Sequence, residues 1–252
     1  MLLIRPQTFE TLEQNAQSRF EDDMVVHLGK FHPPHASAAG EEGLRRVIRT
    51  GVARARAYGF TLRGPVRFYL EQMILYGHDF DTDPLLPWAG RCLKAGGASE
   101  LDRADGMHEL GSQFQARVVG PDGKHEQAAI RRLLKDPVPA WMSGDLSDAG
   151  LGTKLQEVYP QKCAGEPDGL RAIIGTCRRQ AADWQLPTTT GGGLFAALAV
   201  GIGHGFLADP IYPWAAGTLK DTEGQPGQQR VEKLAHRAMA FSATVLAEHE
   251  KE

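Results

Sequence analysis

Residues 77–90 read Gly-His-Asp-Phe-Asp-Thr-Asp-Pro-Leu-Leu-Pro-Trp-Ala-Gly, and residues 203–216 read Gly-His-Gly-Phe-Leu-Ala-Asp-Pro-Ile-Tyr-Pro-Trp-Ala-Ala. At an offset of 126 positions the two stretches share Gly, His, Phe, Asp, both prolines, Trp and Ala. The same offset runs backwards without a gap, setting Gly43-Leu44 on Gly169-Leu170, Val47-Ile48 on Ile173-Ile174, Thr50 on Thr176, Ala55 on Ala181 and Tyr58 on Trp184. Forwards it sets Leu93-Lys94 on Leu219-Lys220 and, with one residue inserted, Met107, Phe114 and Val118 on Leu234, Phe241 and Val245. Self-similarity at a fixed period changes the meaning of every local pattern, so it is weighed before fold class. It predicts two tandem units, residues 1–122 and 123–252.

Inside the first unit Leu44, Val47, Ile48, Gly51, Val52 and Ala55 step by three and four, the spacing of one helix face. Leu170, Ile173, Ile174, Cys177 and Ala181 repeat it in the second. Gly59 suits the stop of the first of these helices, and Pro65 suits the start of the next, which carries Tyr69, Leu70, Met73 and Ile74 on one side and ends at Gly77. Asp83-Pro84 and Asp209-Pro210 are expected to cap short helices holding Trp88 and Trp214. Ser99-x-x-Asp102 opens a further helix to Val118. Around Gly120-Pro-Asp-Gly123 the favoured reading is helix, turn, helix, with a short β-hairpin over residues 116–125 as the alternative. The predicted class is all-α.

Trp184 to Ala208 carries no charged residue. A membrane span needs about 20 apolar residues, whereas this stretch opens on Gln185, Pro187, three threonines and three glycines, and its apolar part Leu194–Ile202 falls on Phe68–Tyr76, which contains Glu71. A buried helix is expected instead. The 252 residues hold 28 Lys plus Arg against 31 Asp plus Glu, a net charge of −3, which argues against a nucleic-acid binder or a polybasic membrane-surface protein. Cys92, Cys163 and Cys177 form no CxxC pair, and Met1 to Gln7 lacks the basic-then-apolar order of a secretory leader, so a reducing, cytoplasmic setting is expected.

Catalytic signals are missing at decisive positions. Asp79, Asp81 and Asp83 have the spacing that opens a calcium loop, but the sixth position is Pro84 and the twelfth Gly90. His108-Glu109 and His125-Glu126 lead to Ser112 and Ala129 where a zinc helix needs a second histidine. His32 and His35 are only two ligands, Ser143 lacks a nucleophile elbow, and the glycines at 191–193 and 201–205 match no phosphate loop. The glycines are read as supplying loop flexibility and close helix contact. No catalytic residue, metal or cofactor is expected. His78 and His204 are read as structural because Asp79 and Asp81 become Gly205 and Leu207 in the second unit. Asp83, Pro84, Pro87, Trp88, Asp209, Pro210, Pro213 and Trp214 join them. Arg45, Arg49 and Arg56 on the polar face of the first helix, with Asp79 and Asp81 as an acidic patch, are expected to meet a protein partner.

Gly43-Leu-Arg-Arg-Val-Ile-Arg49, Arg54-Ala-Arg-Ala-Tyr-Gly59 and Phe80-Asp-Thr-Asp-Pro-Leu-Leu-Pro-Trp-Ala89 carry a resemblance. Over residues 5–94 the chain resembles small helical proteins encoded in bacterial type VI secretion neighbourhoods, beside spike, adaptor or toxin genes. Members of that group have one copy where this chain has two. The resemblance brings no catalytic motif. It implies a non-enzymatic adaptor or chaperone that helps load a secreted toxin or contacts the spike complex, or else an immunity protein that neutralises a toxin. A metal-assisted hydrolase is the third, unrelated reading.

Overall fold

The computed structural model describes residues 6–135 and 142–249, and every extended regular element within them is a helix. In chain order these are α1 (Pro6–Phe31), α2 (Pro33–Ala57), α3 (Arg63–Tyr76), α4 (Pro87–Leu93), α5 (Glu100–Val118), α6 (Lys124–Lys135), α7 (Asp148–Val158), α8 (Pro160–Cys163), α9 (Pro167–Asp183), α10 (Thr190–Ile202), α11 (Pro213–Asp221) and α12 (Gly227–His249). The all-α expectation holds. The hairpin over residues 116–125 does not: α5 continues to Val118, one 3-10 turn spans Pro121–Gly123, and α6 follows at once. Gly120, Asp122 and Gly123 all take positive φ, and the His125 N–H returns to the Val119 carbonyl at 2.9 Å. The reversal is therefore completed within one turn, and Gln127 to Leu134 lacks the two-residue alternation a strand needs.

Helix starts follow the local chemistry. Ser99 and Asp102 form a reciprocal capping box at α5, and the Ser147 hydroxyl accepts the Gly150 N–H at α7. Proline stands within the first turn of α2, α4, α8, α9 and α11, where its missing N–H costs no helix bond. Asp83 and Asp209 act one step earlier than the sequence suggested. Each accepts the N–H two residues on, Leu85 at 2.8 Å and Ile211 at 2.9 Å, so each shapes the preceding turn while Leu86 and Tyr212 occupy the cap positions of α4 and α11.

Close helix contacts place the glycines. A Cβ on Gly191 would lie 3.0 Å from Leu186 Cβ, and one on Gly192 would lie 2.9 Å from Arg178 Cγ. The triple glycine is thus the first turn of α10, drawn tightly onto α9, and not a flexible loop. α10 is buried from Gly191 to Val200 by protein, and no helix among the described residues is long and apolar enough to cross a membrane. α1 lays Met24 and Leu28 on the core, as α7 lays Leu151 and Leu155. One continuous hydrophobic core joins Leu44, Ile48, Leu70 and Ile74 of the first half to Leu170, Ile174, Leu194 and Phe195 of the second.

Candidate functional site

The chemistry-bearing residues of both repeated stretches converge where the halves meet. α3 ends at Gly77 (φ 98, ψ 160) and α10 at Gly203 (φ 103, ψ 143), conformations that favour glycine. The two glycines touch: a Cβ on Gly77 would lie 3.0 Å from Gly203 Cα, and a Cβ on Gly203 would lie 3.0 Å from Gly77 Cα. The following residues then cross over. The His78 N–H donates to Asp209 Oδ2 at 3.0 Å, and His204 Nδ1 faces Asp83 Oδ2 at 3.6 Å. The Thr82 hydroxyl lies 3.4 Å from His204 Nε2.

Both carboxylates are buried, Asp83 at 3% and Asp209 at 4% exposure. Burial raises the Asp209 pKa, against the two N–H groups that bond it. Burial alone would lower the His204 pKa, but the Asp83 carboxylate, with Asp79 and Asp81 beyond it, outweighs that and raises it.

Beside this junction Arg54 gathers a second set. Its guanidinium binds Asp79, Asp81 Oδ1 at 2.5 Å and the His78 carbonyl at 3.0 Å, while the Tyr69 hydroxyl donates to Asp81 Oδ2 at 2.9 Å. At the equivalent positions the second half has Gln180, Phe195, Gly205 and Leu207. Each of its four side chains, Arg54, Tyr69, Asp79 and Asp81, is replaced, as expected when removing one partner would leave a buried charge unpaired.

The five residues expected to face a partner are distributed differently. Asp81 is buried and Asp79 is held by Arg54, so they serve the interior of the first half and form no open acidic patch. Arg45 and Arg49 are bound by α1: Arg45 reaches Glu21 at 3.1 Å and Asp22 at 2.8 Å, and Arg49 reaches Glu21 at 2.9 Å. Arg56 is exposed. Sequence reasoning missed α1 as the ion-pairing partner of Arg45 and of the still exposed Arg49, although the run Glu21-Asp22-Asp23 was the available signal.

The residues read as structural lie in packing positions. Trp88 sits between Tyr76 and Phe114, with ring centroids at 5.6 and 6.1 Å, and Trp214 packs on Phe241 at 5.6 Å. Pro87 and Pro213 open α4 and α11, and the carbonyls of Pro84 and Pro210 press on Gly169 and Gly43. His32 and His35 stack edge to face at 6.2 Å, and no group of three His, Cys, Asp or Glu among the described residues is arranged to hold a metal ion.

Two open clefts adjoin these elements. One of about 520 Å³ runs past Thr82, Pro87, Arg91 and Lys94, and one of about 380 Å³ lies between α11 and α12 beside Lys233, His236 and Arg237. Comparison of the chain with protein-family models, curated proteins and solved structures finds no match.

Proposed function

We propose that the chain is two tandem helical units acting by protein–protein contact, as a cytoplasmic adaptor or chaperone for a type VI secreted effector. One observation carries this reading: apart from the exposed Lys94 and Lys220, the residues common to both halves lie mostly in the junction and core, and the outer faces are chemically individual. The exposed side of α5 presents Asp102, Asp105 and Glu109, whereas that of α12 presents Lys233, His236 and Arg237 beside Glu232. A scaffold that keeps its packing and diversifies its surface is suited to recognising partners by surface chemistry. The carboxylates support the same view, since Asp79 and Asp81 are bound by Arg54, Asp209 bonds both its own turn and His78, and Asp83 bonds its own turn. Arg56, at the exposed end of α2, is the arginine proposed to reach a partner.

Capture of the full-length tagged chain from a host carrying the secretion genes, followed by mass spectrometry, tests the proposal. Spike or effector components are expected with it. Recovery of a toxin alone, together with rescue from that toxin on coexpression, would replace the adaptor role with immunity. Stoichiometric metal in the purified chain and no captured protein would favour the hydrolase reading.

A further inference from the structure

We infer that the repeated Gly-His-x-Phe-x-x-Asp-Pro motif is a self-complementary clasp that joins the two halves as a two-fold pair, and that the partner it fits is another copy of itself. The inference rests on the two-unit reading and is independent of the adaptor role. In a two-fold contact, if position i of one unit touches position j of the other, position j of the first also touches position i of the second.

The junction satisfies that condition at three places. On the axis, equivalent glycines touch each other, and a Cβ on Gly77 would lie 2.9 Å from the Ile202 carbonyl while one on Gly203 would lie 2.8 Å from the Tyr76 carbonyl. Tyr76 and Ile202 are themselves equivalent at the 126-residue offset. On one flank Gly43 abuts the Pro210 carbonyl, and on the other Gly169 abuts the Pro84 carbonyl. Between them the same pair of positions meets twice, through different atoms: the His78 backbone N–H bonds Asp209, and the His204 ring faces Asp83. A head-to-tail contact between the units would bring different positions together on its two sides and pair none of them reciprocally.

The motif's chemistry explains why these residues recur together. Each aspartate commits Oδ1 to the turn of its own unit and turns Oδ2 to the other: Asp209 Oδ2 accepts the His78 backbone N–H, whereas Asp83 Oδ2 faces the His204 ring at 3.6 Å without a hydrogen bond. The Asp209 side chain therefore both shapes a loop and bonds the opposite half, and Asp83 shapes its loop while setting its charge beside His204. Each glycine combines a positive φ with a contact too close for any side chain.

One of the places where the copies differ is also explained. A Cβ on Gly205 would lie 2.9 Å from Asp79 Cβ and 2.7 Å from its Cγ. Two aspartates could not occupy that position together without overlap and like-charge repulsion, and the sequence has Asp on one side and Gly on the other.

A protease site inserted after Asp122, in the exposed turn between α5 and α6, allows the folded full-length chain to be cut between the units. The fragments are expected to elute together at the volume of the intact 27.5 kDa chain, with unchanged helical signal. Fragments that separate or lose helix on cutting overturn the proposal, because the peptide link would then be what holds the halves. In the same cut chain Gly203→Val is expected to release the fragments while the uncut variant keeps its helical signal. Gly203→Ala is read in its place if valine prevents folding of the uncut chain. Continued co-elution of the glycine variant overturns the glycine contact as the centre of the clasp. No arm requires a captured partner, so the adaptor reading can fail without altering this result.

Discussion

The paired substitutions between the halves show how a position is set by its neighbour. Gly51 lies against Leu70 and Met73, whose Sδ would be 2.7 Å from an added Cβ. The equivalent position is Cys177, and the residues equivalent to Leu70 and Met73 are Ala196 and Ala199. Gly51→Cys alone is expected to destabilise by about 1 to 3 kcal/mol, the scale of an overpacked core. Adding Leu70→Ala should recover part of that loss, so urea denaturation of the two variants reads the coupling directly. A double variant less stable than the sum of its single changes would show that the two positions do not compensate.

His204 offers a pH readout at the same scale. It faces Asp83 and Thr82, with the charges of Asp79 and Asp81 beyond them, and its folded pKa is raised. A base with a raised folded pKa adds stability below its unfolded value, near 6.5, and loses it as pH rises through the folded value. Asp209, also raised, works in the same direction from a lower pH. The chain is therefore expected to melt higher at about pH 6 than at about pH 8, and His204→Gln should flatten that difference. An unchanged pH profile in the variant would remove His204 from the account.

At the scale of elements, α1 changes what the α2 arginines mean. Arg49→Glu would set a carboxylate against Glu21 and is expected to loosen α1, seen as faster proteolysis before residue 32. Arg56→Glu reverses an exposed charge and should weaken partner capture at low salt with no change in proteolysis. Loss of α1 protection in Arg56→Glu would show that the two arginines share one role. Trp88→Ala, which empties the site between Tyr76 and Phe114, is expected to cost roughly 3 to 5 kcal/mol in denaturant unfolding. Trp214 is less buried, so Trp214→Ala should cost less.

For the whole molecule, the helical class, the core faces of α2 and α9 and the capping box at Ser99 were legible because each depends on neighbours in sequence. The burial of α10 was legible through its charged equivalent in the first half. What escaped depends on distant partners. The carboxylates that pair with Arg45 and Arg49 lie more than twenty residues away on α1, and the engagement of Asp81 depends on Arg54 and Tyr69. The repeat marked His78, Asp83, His204 and Asp209 as structural, but not that each histidine residue meets the opposite aspartate, because an offset orders positions along the chain without placing the copies in space.

Mutual support of the two halves is the claim on which the molecular account turns, and hydrogen exchange of the full chain tests it most directly. In Gly203→Val the account predicts lost protection in α10 and α11 and also in α3 and α4, because the clasp belongs equally to both halves. Lost protection confined to residues 123–252, with α3 and α4 exchanging as in the parent, would contradict it.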